Sequence, residues 1–346
     1  MILTKRINGS KKTTISDVAQ AVGVSKNSVS LALRGMGGVG SDTRRRIIDT
    51  ALAMGYLDNK PMPDTMDDAC VVVVLPNYLH EDVFFYTEVL WAIDSEAKAR
   101  GICAIRIGVT KEMEETGELP VMPKGLHVMG MLVVGIFSPI YAEKLRELKL
   151  PMLSVDIMYS NLPLVGSSNL MGGLAAVRKL ISHGHRDIGF IGPIRTAVSV
   201  YERWCGFIMG MIEAGLPYES KYNILGERAF QFFDTEDALE PYVSQMDGLP
   251  TAWFCAGDRI SIAMIHLLTR RGLNVPGDIS IIGFDDILAA QMVLPRLTTI
   301  RTDRQMMGKL AVSYFFELQQ NKDIAMVSKI VPFELIERDS VAAVKI

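Results

Sequence analysis

Residues 13–56 read TTISDVAQAVGVSKNSVSLALRGMGGVGSDTRRRIIDTALAMGY, and their apolar spacing predicts three short helices. Thr14 caps the first, with Asp17 in its first turn, where a carboxylate suits unpaired amide groups. Ile15, Val18, Ala19 and Val22 form one stripe at helical spacing. Gly23 ends that helix, and Gly23, Val24 and Ser25 lead to the next. Ser25 caps the second helix, with Val29, Ala32 and Leu33 facing inward and Lys26, Asn27, Ser28 and Ser30 left polar. Two helices joined by a short Gly-containing turn match a helix-turn-helix, whose second helix lies in the major groove with its N-terminal residues at base edges. The third helix is expected from a Ser41 cap to about Met54, stopped by Gly55, with Ile47, Ile48, Ala51 and Leu52 closing a small core. Arg44, Arg45 and Arg46 fall in its first turn. Cations oppose the helix dipole there, a placement useful beside a phosphate. The competing reading is a small helical domain with a solvated basic face.

The stretch from Thr14 to Leu33 resembles the DNA-binding headpiece of the lactose-repressor (LacI/GalR) family, whose usual string is close to T-I-x-D-V-A-x-x-A-G-V-S-x-x-T-V-S. The resemblance implies operator binding and a further domain that takes a small effector. It places Lys26, Asn27 and Leu31 where the family reads bases. Asn pairs bidentately with adenine and Lys reaches guanine. Leu31 departs from the Arg frequent at its position, so it either meets a thymine methyl or packs inside the headpiece. Thr14, Ser25, Ser28, Ser30, Arg34 and Arg44 are the candidates for phosphate contacts, which position a protein without specifying sequence.

The 346 residues suggest two or three domains, and no apolar run reaches membrane-spanning length. The N-terminus has no apolar signal segment, so a cytoplasmic location is expected. Cys70, Cys103, Cys205 and Cys255 are far apart with no CxxC pair, and read as reduced thiols rather than disulfides or a zinc site. The net charge of −3 hides a split: residues 1–60 hold ten Lys/Arg and four Asp, or +6, which leaves −9 for the remainder. Such asymmetry points to nucleic acid at the basic end.

Residues 1–12 read as a basic arm, 13–57 as the helix-turn-helix domain, 58–69 as a linker and 70–346 as an effector-binding and dimerisation domain. GMGGVG at 35–40 spells G-x-G-x-x-G but joins two helices, whereas a dinucleotide site needs a strand before it. By resemblance the linker would be a hinge helix with a minor-groove wedge. Pro61 and Pro63 oppose a helix, Asp64, Asp67 and Asp68 oppose phosphate approach, and Met62 or Met66 is the substitute wedge. From Cys70 onward, continuous apolar runs (CVVVVL, MGMLVVG, DIGFIG, TAWFCA, ISIIGFDD) alternate with amphipathic helices. That pattern indicates parallel sheets covered on both faces, in two doubly wound subdomains with a cleft between them.

HGHRDIGFIG (183–192), YERWCGF (201–207), PTAWFCAGD (250–258), VPGDISIIGFDD (275–286), PRLTTIRTD (295–303) and LIERDSVA (335–342) each resemble a family block in order. The likeness implies a periplasmic-binding-protein-like body crossed three times by the chain, near 157–172, 295–303 and 327–334. The N-subdomain would hold about 70–165 and 301–329, the C-subdomain about 166–300 and 330–346. Arg203 and Asp285 match the family's two charged effector positions, and Ser199 a polar one. Phe85 and Tyr86 suit stacking on a ligand, one of Phe230, Phe232 and Phe233 a second aromatic wall, and Asp258 completes the set. Structural salt bridges and core aromatics are the alternatives. His183 and His185 lack a third metal ligand; no nucleophile triad, phosphate loop or spaced carboxylate pair supports catalysis, and no cofactor is expected. The expectation is a homodimeric repressor on two-fold DNA, controlled by a sugar, sugar derivative, nucleoside or purine. The chain ends without a leucine heptad tail, which favours a dimer over a tail-linked tetramer. A DNA-binding protein with a vestigial pocket, a plain sugar-binding module and a Rossmann-like enzyme are the other readings.

Overall fold

The computed structural model describes residues 13–33, 38–54, 56, 69–80, 85–159, 161–218, 221–226, 233–320 and 327–345. The N-terminal arm, Arg34, Gly35, Gly37, Gly55, the linker up to residue 68, Phe230 and Phe232 lie outside these residues.

Three helices form the N-terminal unit: α1 (Ile15–Val22), α2 (Lys26–Leu33) and α3 (Ser41–Ala53). The Thr14 amide and hydroxyl both donate to Asp17 Oδ2, at 2.8 and 2.7 Å, which fixes the first turn of α1. The Ser28 amide donates to Ser25 Oγ at 2.9 Å and starts α2. Helix α3 opens at the expected cap residue itself: Ser41 is already helical, and the Arg44 amide donates to Gly40 O at 2.9 Å, which moves the cap one residue earlier to Gly40. Val18, Val22, Val29, Ala32, Ile47 and Ala51 are buried together. The Thr13 hydroxyl, donating to Met54 O at 2.7 Å, ties the entry of the chain to the end of α3.

The body follows as β1 (Ala69–Pro76), α4 (Tyr86–Ala99), β2 (Cys103–Val109), α5 (Lys111–Thr116), β3 (His127–Val134), α6 (Pro139–Lys144), β4 (Met152–Val155) and β5 (Leu164–Ser167). It continues as α7 (Asn169–Ser182), β6 (Ile188–Ile191), α8 (Val198–Glu213), α9 (Glu236–Ser244), β7 (Ala252–Cys255), α10 (Asp258–Arg270), β8 (Ser280–Asp285), α11 (Leu288–Met292) and β9 (Thr298–Thr302). Helix α12 (Arg304–Gln320), β10 (Ser328–Val331) and β11 (Phe333–Ile336) complete it. The strands form two sheets, ordered β10-β5-β4-β3-β1-β2 and β11-β9-β8-β7-β6. Every residue of β1 is buried, as a central strand covered by helices on both faces requires.

The chain leaves the first sheet after Ser167, returns to it after Thr302, and crosses again between Val331 and Phe333. The last crossing reverses direction, so β11 pairs antiparallel with β9 at the edge of an otherwise parallel sheet. Helix α12 packs on α4, so a late segment completes the first subdomain. His185 Nε2 donates to Ala342 O at 3.0 Å and Nδ1 lies 2.9 Å from Thr251 Oγ1, which makes the His-Gly-His string a pin for the C-terminal segment. No described helix is long and apolar enough to cross a membrane.

Helices α7 and α8 touch through glycine: a Cβ on Gly206 would lie 2.2 Å from Leu170 O. Gly206→Ala should therefore cost about 1–3 kcal/mol through overpacking. Thermal unfolding checks this, and an unchanged melting temperature would show that the helix pair yields freely.

Candidate functional site

Parallel sheets bind ligands beyond the carboxyl ends of their strands. Here two such ends meet: Asp156 follows β4 of the N-subdomain and Asp285 ends β8 of the C-subdomain. Arg203, only 5 % exposed on α8, occupies the C-subdomain wall. Its Nε donates to Asn169 Oδ1 at 3.0 Å and its Nη1 to Ala256 O at 2.6 Å. Its Nη2 lies 3.0 Å from Asp285 Oδ1, an ion pair without hydrogen-bond alignment. The guanidinium also stacks 3.8 Å from the Phe284 ring centre. Asn169, at the start of α7, donates in turn to Glu202 at 3.0 Å.

On the N-subdomain wall the Tyr86 hydroxyl donates to Asp156 Oδ2 at 2.7 Å, and Phe85 meets Tyr86 edge-on at 5.1 Å. Arg304, the first residue of α12, donates to the carbonyls of Asp285 and Asp286 and to Glu88 Oε1. It therefore joins α4 to the end of β8. Burial pushes the Asp285 carboxyl up to about 6; Arg203 opposes that rise and Asp156 adds to it. Burial also raises Asp156 and Glu202, against Tyr86 and Asn169 respectively. Asp285 has φ 109° and Asp156 φ 73°, left-handed values that non-glycine residues rarely hold without a surrounding reason.

The structure thus brings Tyr86, Phe85, Arg203 and Asp285 to one cleft, with half-buried Ser199 in the first turn of α8. One expectation is corrected. Asp258 is 1 % exposed; Oδ1 accepts from Thr299 Oγ1 at 2.5 Å and Oδ2 from the Ile287 amide at 2.9 Å. It therefore braces the β8–α11 turn from beneath instead of facing the cleft. A Cβ at Gly283 would lie 2.3 Å from the same carboxylate. Of the three phenylalanines expected to offer an aromatic wall, Phe233 is buried in the core of the C-subdomain, and Phe230 and Phe232 lie outside the described residues. Asp156, Asn169, Glu88 and Arg304 were missed by sequence reasoning. Asp156 had a usable signal, an acid at a strand's carboxyl end like Asp285. The other three are recognisable only through their partners.

In the headpiece, Lys26 and Asn27 are exposed at the start of α2, beside exposed Ser25 and Thr14. Leu31 is half-buried and outside the headpiece core, its Cδ1 3.8 Å from a Cβ built on Gly38. Ser28 and Ser30 are half-buried on the same helix. Arg44 Nη1 donates to Ala32 O at 3.4 Å and Arg46 Nη2 to Val22 O at 3.3 Å. Those carbonyls end α2 and α1, so these arginines satisfy the negative ends of the preceding helices. Arg44, expected at phosphate, first serves as helix glue. Arg45 is exposed.

This combination, a helix-turn-helix followed by two facing parallel-sheet subdomains with a charged cleft, defines a class of DNA-binding regulators with a ligand domain. Matching models are described as "Bacterial regulatory proteins, lacI family" over residues 14–59 and "Periplasmic binding protein-like domain" over 177–341. The chain belongs to the lacI family of bacterial regulatory proteins. It is 28 % identical to the HTH-type transcriptional repressor PurR of Pasteurella multocida (strain Pm70), over 95 % of this chain and 98 % of that protein. A structure of the regulator CelR in complex with cellobiose superposes with a TM-score of 0.68 at 23 % identity, covering 95 % of this chain and 99 % of that one. The lac repressor dimer bound to operator and the anti-inducer ONPF gives 0.64 at 22 % identity, covering 96 % and 100 %.

The raised Asp285 carboxyl makes a pH prediction. An acid that holds its proton more tightly when folded adds stability as pH falls from about 6 toward its unfolded value near 4, and that stability is absent above 6. The full step is on the order of 3 kcal/mol. Asp285→Asn removes the step, so the melting-temperature difference between pH 5 and pH 7.5 should narrow in the variant. Equal differences in both proteins would place the titration elsewhere.

Proposed function

We infer that this chain is a sequence-specific DNA-binding repressor whose operator affinity is set by a small molecule held between its two subdomains. The observation that carries this reading is the joining, in one chain, of an exposed α2 N-terminus to a cleft walled by Arg203, Asp285, Asp156 and Tyr86. An arginine beside carboxylates and an aromatic pair suits a polyhydroxyl ligand with a flat face: a sugar, a sugar derivative or a nucleoside. The cellobiose in the CelR complex supports that class. Lys26, Asn27 and Leu31 are proposed to read bases, with Thr14, Ser25, Ser28 and Ser30 at phosphates and Arg45 beside them. The finer proposals are a cytoplasmic protein without catalytic activity and a homodimer on a two-fold operator. Leu288, Met292 and Leu294, exposed in and after α11, and Trp91 on α4 offer apolar surface for that dimer. Ligand binding alters subdomain closure and thereby the setting of the two headpieces.

Sequencing of genomic fragments retained by the protein tests the reading, with a Lys26→Ala/Asn27→Ala variant in parallel. A shared two-fold site is expected. Each lost bidentate base contact should weaken it by about 5- to 150-fold, without a change in melting temperature. Retention of unrelated fragments by both proteins would overturn sequence reading by α2.

Coupling must also be reciprocal: a ligand that alters operator affinity has its own affinity altered by the same factor. A fluorescence titration of that ligand with and without operator checks this, and equal affinities would remove the effector mechanism. One observation favours a second reading, an idle pocket, because Arg203 is already satisfied by Asn169, Ala256 and Asp285. Thermal shifts across sugars and nucleosides separate the two, since an idle pocket shows none.

A further inference from the structure

Cys70 and Cys103 are far apart in the chain, yet the first sheet sets them side by side. Cys70 is the second residue of β1, Cys103 opens the edge strand β2, and the two are direct partners in the parallel ladder between these strands. Side chains alternate along a strand, so Cys70 shares a face with Val72 and Val74, and Cys103 with Ile107 and Val109. Those four residues pack in one cluster, so both thiols leave the sheet on the same side. The Cys103 thiol donates to Ala69 O at 3.6 Å, which sets its sulfur against the strand that carries Cys70. Adjacent strands lie about 4.8 Å apart, inside the roughly 4.4–6.8 Å between Cα atoms that a disulfide spans. The pairing of β1 with β3 shifts register between Cys70 and Val71, an irregularity that lets the strand end adjust.

We propose that Cys70 and Cys103 form a peroxide-sensitive dithiol, a modification site where the chain enters the body from the linker. Exposure divides the roles. Cys103 is exposed and meets the oxidant, whereas Cys70 is buried beside it. Burial pushes the Cys70 thiol up and Cys103 adds to the rise, so Cys70 keeps its proton until a reactive sulfur is next to it. The Cys103 thiolate attacks one oxygen of hydrogen peroxide, the O–O bond breaks, and the other oxygen leaves as water, giving a sulfenic acid. The Cys70 thiol then gives up its proton and attacks the Cys103 sulfur. The S–S bond forms as the S–O bond breaks, and the departing hydroxide takes that proton as a second water. Two thiols are oxidised and one peroxide is reduced. The disulfide removes the thiol hydrogen that Cys103 gives to Ala69 O, so the change is registered at the first residue of β1. Cys255 is buried, with its thiol pushed up to about 12, and stays out of this chemistry.

Mass spectrometry of the full chain tests the site, after brief exposure to hydrogen peroxide and alkylation with N-ethylmaleimide under denaturing conditions. The expected product has lost two hydrogens and carries alkyl groups on Cys205 and Cys255 alone. Trypsin, cutting at Lys98 and Arg100, should then yield a Cys70 peptide joined to a Cys103 peptide, and dithiothreitol should release the two. Cys103→Ser should abolish the link; its position is exposed, so an unchanged melting temperature would show an intact fold. In Cys70→Ala the resolving thiol is gone, and Cys103 should remain as a sulfenic acid that dimedone captures. Alkylation of all four cysteines after peroxide, conversion of Cys103 to sulfinic acid in the wild type without the joined peptide, or a Cys103 link between two copies would each overturn the proposal.

Discussion

The cleft depends on one buried cation. Arg203 lies out of water, and a buried charge is tolerated only where its donors are matched. Its partners come from four places: Asn169 at the start of α7, Ala256 after β7, Asp285 at the end of β8, and the Phe284 ring. One guanidinium therefore fixes the relative positions of strand ends and helix starts that would otherwise be joined only by packing. The cost appears in Asp285, which holds an uncommon backbone angle and a carboxyl shifted toward neutrality. A ligand hydroxyl placed between Arg203 and Asp285 would relieve part of that cost, so binding and local stability draw on the same interaction.

Arg304 extends this arrangement across the subdomain boundary. It begins α12, yet its guanidinium reaches Glu88 on α4 and the carbonyls at the end of β8. The segment that carries Asp285 is thus bonded to both subdomains. A change in closure must alter the Arg304 bonds, which gives ligand occupancy a physical route into the N-subdomain, where β1 follows the linker to the headpiece. The headpiece divides its polar residues differently. Arg44 and Arg46 neutralise helix ends within the three-helix unit, while Lys26 and Asn27 remain at the surface. The first pair ties α3 to the ends of α2 and α1, and the second pair is the one proposed to read bases.

Much was legible before folding because it is local. Apolar spacing marked α1, α2 and α3, and unbroken apolar runs marked the central strands. The acid after Phe284 in strand β8 and the arginine in YERWCGF stood out as an opposed pair, and the two meet at the carboxyl end of the second sheet. Where local signals ended, errors began. Asp258 looks like Asp285 in sequence, an acid at a strand end, but its partners Thr299 and Ile287 come from elsewhere in the subdomain and turn it inward. The Arg44–Arg46 run looks like a phosphate clamp, yet the carbonyls that two of these arginines satisfy end other helices. The place of α12 in the first subdomain followed from the family likeness, which assigns 301–329 there, and not from any local signal.

The sequence by itself determined the headpiece and the alternation of strands and helices, because caps, turns and periodicity act between residues a few positions apart; the family was legible through the resemblance of its motifs. Tertiary structure decided which charged residues meet. Tyr86 finds Asp156 across 70 positions and Arg304 finds Glu88 across 216. Such pairs depend on strand order and on three crossings of the chain, and a desolvated charge takes its character from whatever those crossings bring beside it.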